Sequence, residues 1–403
     1  MVIGIDIRAL QTGHKYRGIG EVTKQVTNRL LKHAVKDGHT VIFYEYDDED
    51  DPKQLLSIPK DLEYTVIRQG KMPEKDTMRS KREKVLANLQ QLYGNPIQGS
   101  EKSDVFLQYD YAFGIPKNTR TVLMKHDLIP YVFWNKFFES AWVPFKNKAL
   151  RTTLRTIFSS YRYKRVLSRS LSNAGLIVSI SKSTKNDLMR LLGVAEKKIK
   201  VVHLGVDIKP AKTDHADNPE RLPVKPYLLF VGAGDERRRV DDLVAAFNNL
   251  RADGHDLELV LVGENFKQPE HIPNKVTRDA VLKSSYGDDI LTLGYVDDAT
   301  KQRLFRNSLA FVYPTKYEGF GIPVLEAFLL ETSVISYKNS SLPEVGGEHA
   351  IYVNDWNGIK TAVEKLLNES KESRQTRTAK AKKYAEGFTW DKTSEAIYNT
   401  LSE

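Results

Sequence analysis

The sequence predicts an α/β protein made of two doubly wound, Rossmann-like parallel-sheet domains that face each other across a cleft. Three observations carry this. Short apolar runs rich in β-branched residues alternate with helical patterns along most of the chain, as parallel strands joined by helices do. The alternation breaks at one place, "KPAKTDHADNPERLP" (209–223), which holds three prolines, many charges and few apolar side chains, and reads as a linker. At 403 residues the chain also exceeds the ~250–300 that a single core usually serves.

Taken in order, residues 1–208 form the first domain, with strands expected at 2–7, 40–45, 104–109, 121–125, 175–180 and 199–203. The opening "MVIGIDIRAL" is too short and lacks the basic start of a signal peptide, so it reads as the first strand. A helix begins near Ile19, where Ile19, Val22, Val26 and Leu30 share one face. Asp47 to Asp51 is an acidic loop, and 68–84 is a polar, lysine-rich surface segment. Residues 224–387 form the second domain, with strands at 227–232, 257–263, 290–294, 309–314 and 333–337. Three of these end in Gly232, Gly263 and Gly294, and glycine at a strand's carboxyl end admits another backbone or a ligand.

Composition excludes several classes. There is no cysteine, hence no disulfide and no thiolate metal site, which fits a cytoplasmic protein. No apolar run approaches the ~18 residues of a membrane span. The net charge of +9 suggests an anionic partner. It is concentrated between Ser140 and Asn186, where no acidic residue occurs, just after the aromatic stretch "YVFWNKFFESAWVPF" (131–145). That stretch reads either as a solvated basic helix beside a core contact or as a surface docking peripherally on the inner face of an anionic membrane. No helix-turn-helix, zinc or RNP pattern supports nucleic-acid binding.

Chemistry concentrates in "KYEGFGIPVLEAF" (316–328). A buried strand enters a loop freed of side chains by Gly319 and Gly321, and a helix follows with Pro323 in its first turn. Backbone N–H groups at such a helix start suit an anion, and a diphosphate is the natural guest. Glu326, one turn inside the helix, would repel phosphate but suits a ribose diol. Glu318 lies before the turn, where the other end of a nucleotide-sugar would sit. The plainer alternative is an ordinary strand-loop-helix junction with surface glutamates. Arg237, Arg238 and Arg239 follow the strand ending at Gly232 and suit phosphate oxygens, unless they form a solvated run. His126 and Asp127 follow a first-domain strand, where a histidine is either structural or catalytic.

Together these residues resemble a retaining nucleotide-sugar glycosyltransferase of the GT-B fold, family 4, also called glycosyltransferase group 1. "EGFGIPVLEA" resembles that family's E-x7-E signature, and "RGIGEVTKQVTNRL" (17–30) its glycine loop and first helix. "HDLIP", "IVSISKSTKNDLMRLLGV", "VVHLGVD" and "SSLPEVGGEHAIYV" follow in the expected order. The resemblance implies that Glu326 binds the ribose, and that Glu318 contacts the donor sugar together with the amides of Phe320 and Gly321. It further implies that Gly18 and Gly20 approach the diphosphate and acceptor, and that His126 lies near the reacting carbon. The loop after "LTLG", at Tyr295 and Val296, would take the base. Gly319 and Ile322 complete the donor loop. His126, Glu318 and Arg238 are the implied catalytic group. The family's diphosphate-binding lysine is replaced here by Arg238, and Ala233 stands where some members carry an arginine.

The resemblance implies no cofactor and no metal, the nucleotide-diphosphate sugar being a co-substrate. The nearest D-x-D match, Asp48-Glu49-Asp50, falls in the acidic loop. The implied acceptor is a glycan, lipid-linked or on a growing surface polymer, with protein and small-molecule acceptors left open. Residues 388–403 are the implied C-terminal helix returning to the first domain. The rival function is a catalytically silent relative that binds another glycosyltransferase.

Overall fold

Apolar runs without alternation become strands buried on both faces, which is the condition of a parallel sheet covered by helices. The computed structural model describes residues 1–16, 18–47, 51–70, 97–110, 114, 116, 118–133, 150–208 and 221–403. Two units emerge: Met1–Gly205 with Trp390–Glu403, and Val206–Thr389. The acidic run at 48–50, most of the lysine-rich and aromatic stretches, and residues 209–220 of the expected linker lie outside the described residues.

The first unit holds one parallel sheet of β1 (Val2–Asp6), β2 (Thr40–Glu45), β3 (Tyr64–Arg68), β4 (Val105–Gln108), β5 (Arg120–Lys125), β6 (Leu176–Ser179) and β7 (Ile199–Val201), in the order β3-β2-β1-β4-β5-β6-β7. β3 was not expected from the sequence. It is an edge strand with two of its five side chains partly buried and three exposed, so it carries no long apolar run. The helix Gly18–Lys36 buries Val22, Val26 and Leu30 of the expected stripe against the core, with Ile19 partly buried. Ser181 caps the helix Lys182–Leu192 by accepting from the Thr184 amide at 3.0 Å, and left-handed Gly193 ends it.

The helix Trp390–Ser402 belongs to this unit although it follows all of the second. It packs on Gly18–Lys36: Arg29 Nε donates to Asp391 at 2.9 Å, Ser394 Oγ to the Val26 carbonyl at 3.2 Å, and Tyr398 stacks on His33 at 5.1 Å. Its last carbonyls, which a helix cannot satisfy internally, accept from the Arg120 guanidinium, with Thr400 and Leu401 each at 2.7 Å.

The second unit holds β8 (Tyr227–Val231), β9 (Glu258–Val262), β10 (Ile290–Leu293), β11 (Ala310–Tyr313), β12 (Val334–Tyr337) and β13 (Ile351–Val353), in the order β10-β9-β8-β11-β12-β13. The three-residue β13 is too short and too exposed to show as an apolar run. The sequence order reverses between β8 and β11, which are hydrogen-bonded neighbours. At such a reversal the loops leaving the two strands diverge and open a crevice at their carboxyl ends.

The glycines that close these strands admit the protein's own groups. A Cβ on Gly263 (φ +147°) would lie 2.0 Å from the Gly232 carbonyl oxygen, and one on Gly232 (φ +153°) 2.7 Å from Arg238 Nη1. Only glycine fits either position.

Candidate active site

At the β8/β11 reversal the loops leaving the two strands bond to each other. Lys316 N donates to the Arg237 carbonyl at 2.7 Å, which sets the β11 loop beside the arginines of the β8 loop. Arg237 and Arg238 turn inward. Arg237 Nη1 reaches the Glu318 carboxylate at 2.6 Å and the Tyr317 carbonyl at 2.9 Å. Arg238 lies over the Tyr313 ring, 5.2 Å from its centroid, donates to the Tyr313 hydroxyl at 2.5 Å, and sets Nε 3.3 Å from Glu318. Arg239 turns elsewhere. It adopts the left-handed conformation at the start of the helix Val240–Ala252 and pairs with Asp242 at 2.5 Å and Asp241 at 3.2 Å.

Glu318 is therefore more enclosed than the sequence implied, at 8% exposure. Its three described side-chain partners, Arg237, Arg238 and Tyr313 (2.9 Å), all approach Oε1. Oε2 accepts no hydrogen bond from the described residues. Burial alone would push this carboxyl up, but Arg238, Arg237 and the Tyr313 hydroxyl outweigh it and hold it below the usual carboxylate value. Burial, helped by Glu318, keeps the Tyr313 phenol well above its ordinary value.

A stability prediction follows from the Glu318 shift. A carboxylate depressed in the native state contributes stability fully present above its unfolded pKa, and this is lost as pH falls through the lower native value. Between about pH 5 and about pH 3 the wild-type melting temperature is expected to fall more steeply than that of Glu318→Gln. Parallel pH–melting curves would refute this.

The loop at 318–321 is clamped from behind. Ser340 Oγ accepts from the Glu318 amide at 3.0 Å, and Ser341 Oγ donates to the carbonyls of Glu318 (2.9 Å) and Phe320 (2.7 Å). A trans peptide sets N–H opposite C=O, so the amides of Gly319 and Gly321 point away from the held carbonyls, and they donate to none of the described residues. Gly321 (φ +117°) then starts the helix Ile322–Leu329, with Pro323 in its first turn. Glu326 sits in the second turn and accepts from Lys301 Nζ at 3.0 Å, again through Oε1. Tyr295 is 73% exposed, whereas Val296 is buried, leaving the tyrosine ring as the surface of that loop.

The remaining expected residues lie in the first unit. Gly18 and Gly20 form the first turn of their helix, Gly18 exposed and Gly20 buried. His126 follows β5, partly buried, with Nε2 3.2 Å from the Tyr109 carbonyl. A carbonyl can only accept, so Nε2 carries the proton in that bond. Asp127 holds the next turn through the Ile129 amide at 2.9 Å.

Tyr313, Ser340, Ser341 and Lys301 were missed in the sequence. A hydroxyl in the otherwise apolar "LAFVYP" was a signal for Tyr313, while nothing in the spacing links Lys301 to a residue 25 positions on.

Two family models match the chain. One describes glycosyl transferases group 1 and covers 212–384, and the other describes glycosyltransferase family 4 and covers 23–209. The chain belongs to the group 1, family 4 glycosyltransferases. This family 4 chain is 27% identical over 232 residues to the O-antigen chain mannosyltransferase B of Escherichia coli, an alignment covering 56% of the chain and 60% of the relative. Against the serotype-specific mannosyltransferase WbdA of Escherichia coli it is 23% identical, with 98% of the chain and 47% of the relative covered. The chain thus spans about half the length of the curated relatives it matches. Among solved structures, sucrose-phosphate synthase from Thermosynechococcus elongatus superposes with TM-score 0.68 at 17% identity, over 100% of the chain and 98% of that structure. This likeness shows the GT-B fold.

Proposed function

We propose that the chain is a retaining glycosyltransferase that moves a mannosyl group from a nucleoside diphosphate donor to a glycan hydroxyl. One observation carries the reading. Two inward-turned guanidiniums and two loop amides unengaged among the described residues lie at the β8/β11 reversal, each set fixed by independent contacts. The family and the mannosyltransferase relatives support the sugar transfer. A solved Anabaena neighbour that holds UDP-glucose supports a nucleotide-linked donor.

In this mechanism Arg237, Arg238 and the amides of Gly319 and Gly321 hold the diphosphate. Asp235, whose side chain is 41% exposed and 3.2 Å from Arg237, is the carboxylate the diphosphate replaces. Glu318 Oε2 takes a sugar hydroxyl, Glu326 the ribose diol, and Tyr295 stacks the base. Breaking the bond from the anomeric carbon to phosphate oxygen puts negative charge on the leaving group, where the guanidiniums and amides stabilise it. The acceptor hydroxyl attacks on the same face, and its proton passes to the departing phosphate oxygen. Glu318, held ionised between arginines, contributes alignment rather than proton transfer.

The acceptor class follows the polysaccharide-building relatives, a lipid-linked or surface glycan. The exposed Lys164 and Arg165 support a peripheral contact with anionic lipid. No helix among the described residues is long and apolar enough to cross a membrane.

The test is a thermal-shift screen with nucleoside diphosphates, followed by mannosyl transfer from the one that binds. The wild type is expected to gain several degrees with one of them. Glu326→Ala should lose most of that gain, about 1.5–3 kcal/mol of binding. An unchanged gain in Glu326→Ala would remove the assigned ribose contact.

A further inference from the structure

The two glutamates of the E-x7-E segment share a feature that no motif contains. Each gives Oε1 to a cation carried by a different element, and each leaves Oε2 without a hydrogen bond among the described residues. For Glu318 the cations are Arg237 and Arg238. For Glu326 the cation is Lys301, on the helix Asp298–Asn307.

We propose that Lys301 is a positioning residue that fixes Glu326 for a ribose diol, and so makes the site selective for ribonucleoside over 2′-deoxyribonucleoside diphosphates. This rests on the reading of Glu326 as the ribose contact.

The geometry supplies the reason. A glutamate side chain has several staggered rotamers, and Glu326 sits on the second turn of a short helix. Lys301 Nζ, 3.0 Å from Oε1 and with side chains only 26% and 17% exposed in the pair, selects one of them. A carboxylate so fixed presents one defined oxygen, and a ligand bound by it loses less freedom than one bound by a mobile group.

The tether also couples two parts of the site. The helix bearing Lys301 starts directly after Tyr295 and Val296, and Asp297 caps it through the Thr300 amide at 2.6 Å. The loop assigned to the base and the carboxylate assigned to the ribose are therefore joined by one ion pair. Asp298, 3.6 Å from Nζ, is a second carboxylate beside the ammonium. Burial alone would lower the lysine's proton affinity, but Glu326 and Asp298 outweigh it and Lys301 remains charged.

The experiment measures dissociation constants of UDP, GDP, CDP and ADP and of their 2′-deoxy counterparts for the full chain. Wild type, Lys301→Met, Lys301→Arg and Glu326→Gln are compared, with Lys301→Gln replacing the methionine variant if that fails to fold. Lys301→Met is expected to weaken the preferred ribonucleotide about tenfold and to leave its deoxy counterpart within about twofold, so that the preference collapses. Lys301→Arg is expected to retain the preference. An equal loss for both nucleotides would mark a merely structural role and overturn the proposal. If Glu326→Gln abolished the preference while Lys301→Met kept it, the tether would be refuted and the ribose contact upheld. A preference unchanged in Glu326→Gln, or no binding by any of the eight, would remove the underlying reading and the proposal with it.

Discussion

Arg238→Met is expected to lower the single-turnover rate of sugar transfer by about 10²–10³-fold, the loss typical when one donor to a developing anion is removed. Arg238 is packed over an aromatic face, bonded through Nη1 to Tyr313 and close through Nε to Glu318. Such a guanidinium is held in place before the charge appears, and reorganises little when the phosphate bond breaks. Removing it also strands Glu318 beside a single arginine, and breaking a buried pair can cost about 3–5 kcal/mol of stability. Melting curves must therefore accompany the kinetics. Arg238→Lys separates the two effects, because it keeps the charge while losing the planar fork that spans Tyr313 and Glu318. Its expected rate lies between wild type and the methionine variant. Arg239→Met is expected to lose less than about threefold, since Arg239 is committed to Asp241 and Asp242. A larger loss for Arg239 than for Arg238 would reverse the assignment of the two.

The largest expected stability effect is at Gly263. Gly263→Ala sets a methyl carbon where the Gly232 carbonyl oxygen is 2.0 Å away, on a backbone at φ +147°. The oxygen and its carbonyl carbon, 3.0 Å away, are backbone atoms rather than a flexible side-chain tip. The Gly263 amide is itself fixed by the carbonyls of Leu293 and Gly294 at 3.1 Å, so retreat would disturb three strand ends at once. Backbone strain and overpacking together are expected to remove about 3–5 kcal/mol, lowering the melting temperature of this unit by about 10 °C. Gly287→Ala is the control, because nothing lies within 4 Å of its added carbon. It should stay within about 0.5 kcal/mol of wild type. Similar melting for the two variants would refute the account.

Much of the fold was legible because central strands of a parallel sheet are apolar along their whole length, as in β9, where all five residues are buried. β3 and β13 were not, since an exposed or three-residue edge strand leaves no such run. At the site, residue types and order pointed to Glu318, Glu326 and the arginine run. Residue type alone does not separate three adjacent arginines, although the resemblance pointed to Arg238. The fold sets Arg239 apart, which turns left-handed and pairs with Asp241 and Asp242. The enclosure of Glu318 was likewise hidden, because it depends on Tyr313 and the β8 loop, which reach it through folding rather than spacing. The strand-end glycines were read as openings for a ligand, and the fold fills Gly232 and Gly263 with its own carbonyl and guanidinium.

The helix Trp390–Ser402 has a temporal consequence. During synthesis the first sheet emerges, and then the entire second unit, before the helix that covers Gly18–Lys36 and takes up the Arg120 guanidinium exists. Until then the Val26 carbonyl, the His33 ring and the Arg120 guanidinium lack the partners this helix supplies. A released chain truncated before Trp390 should accordingly be cut by protease in the first unit while the second resists.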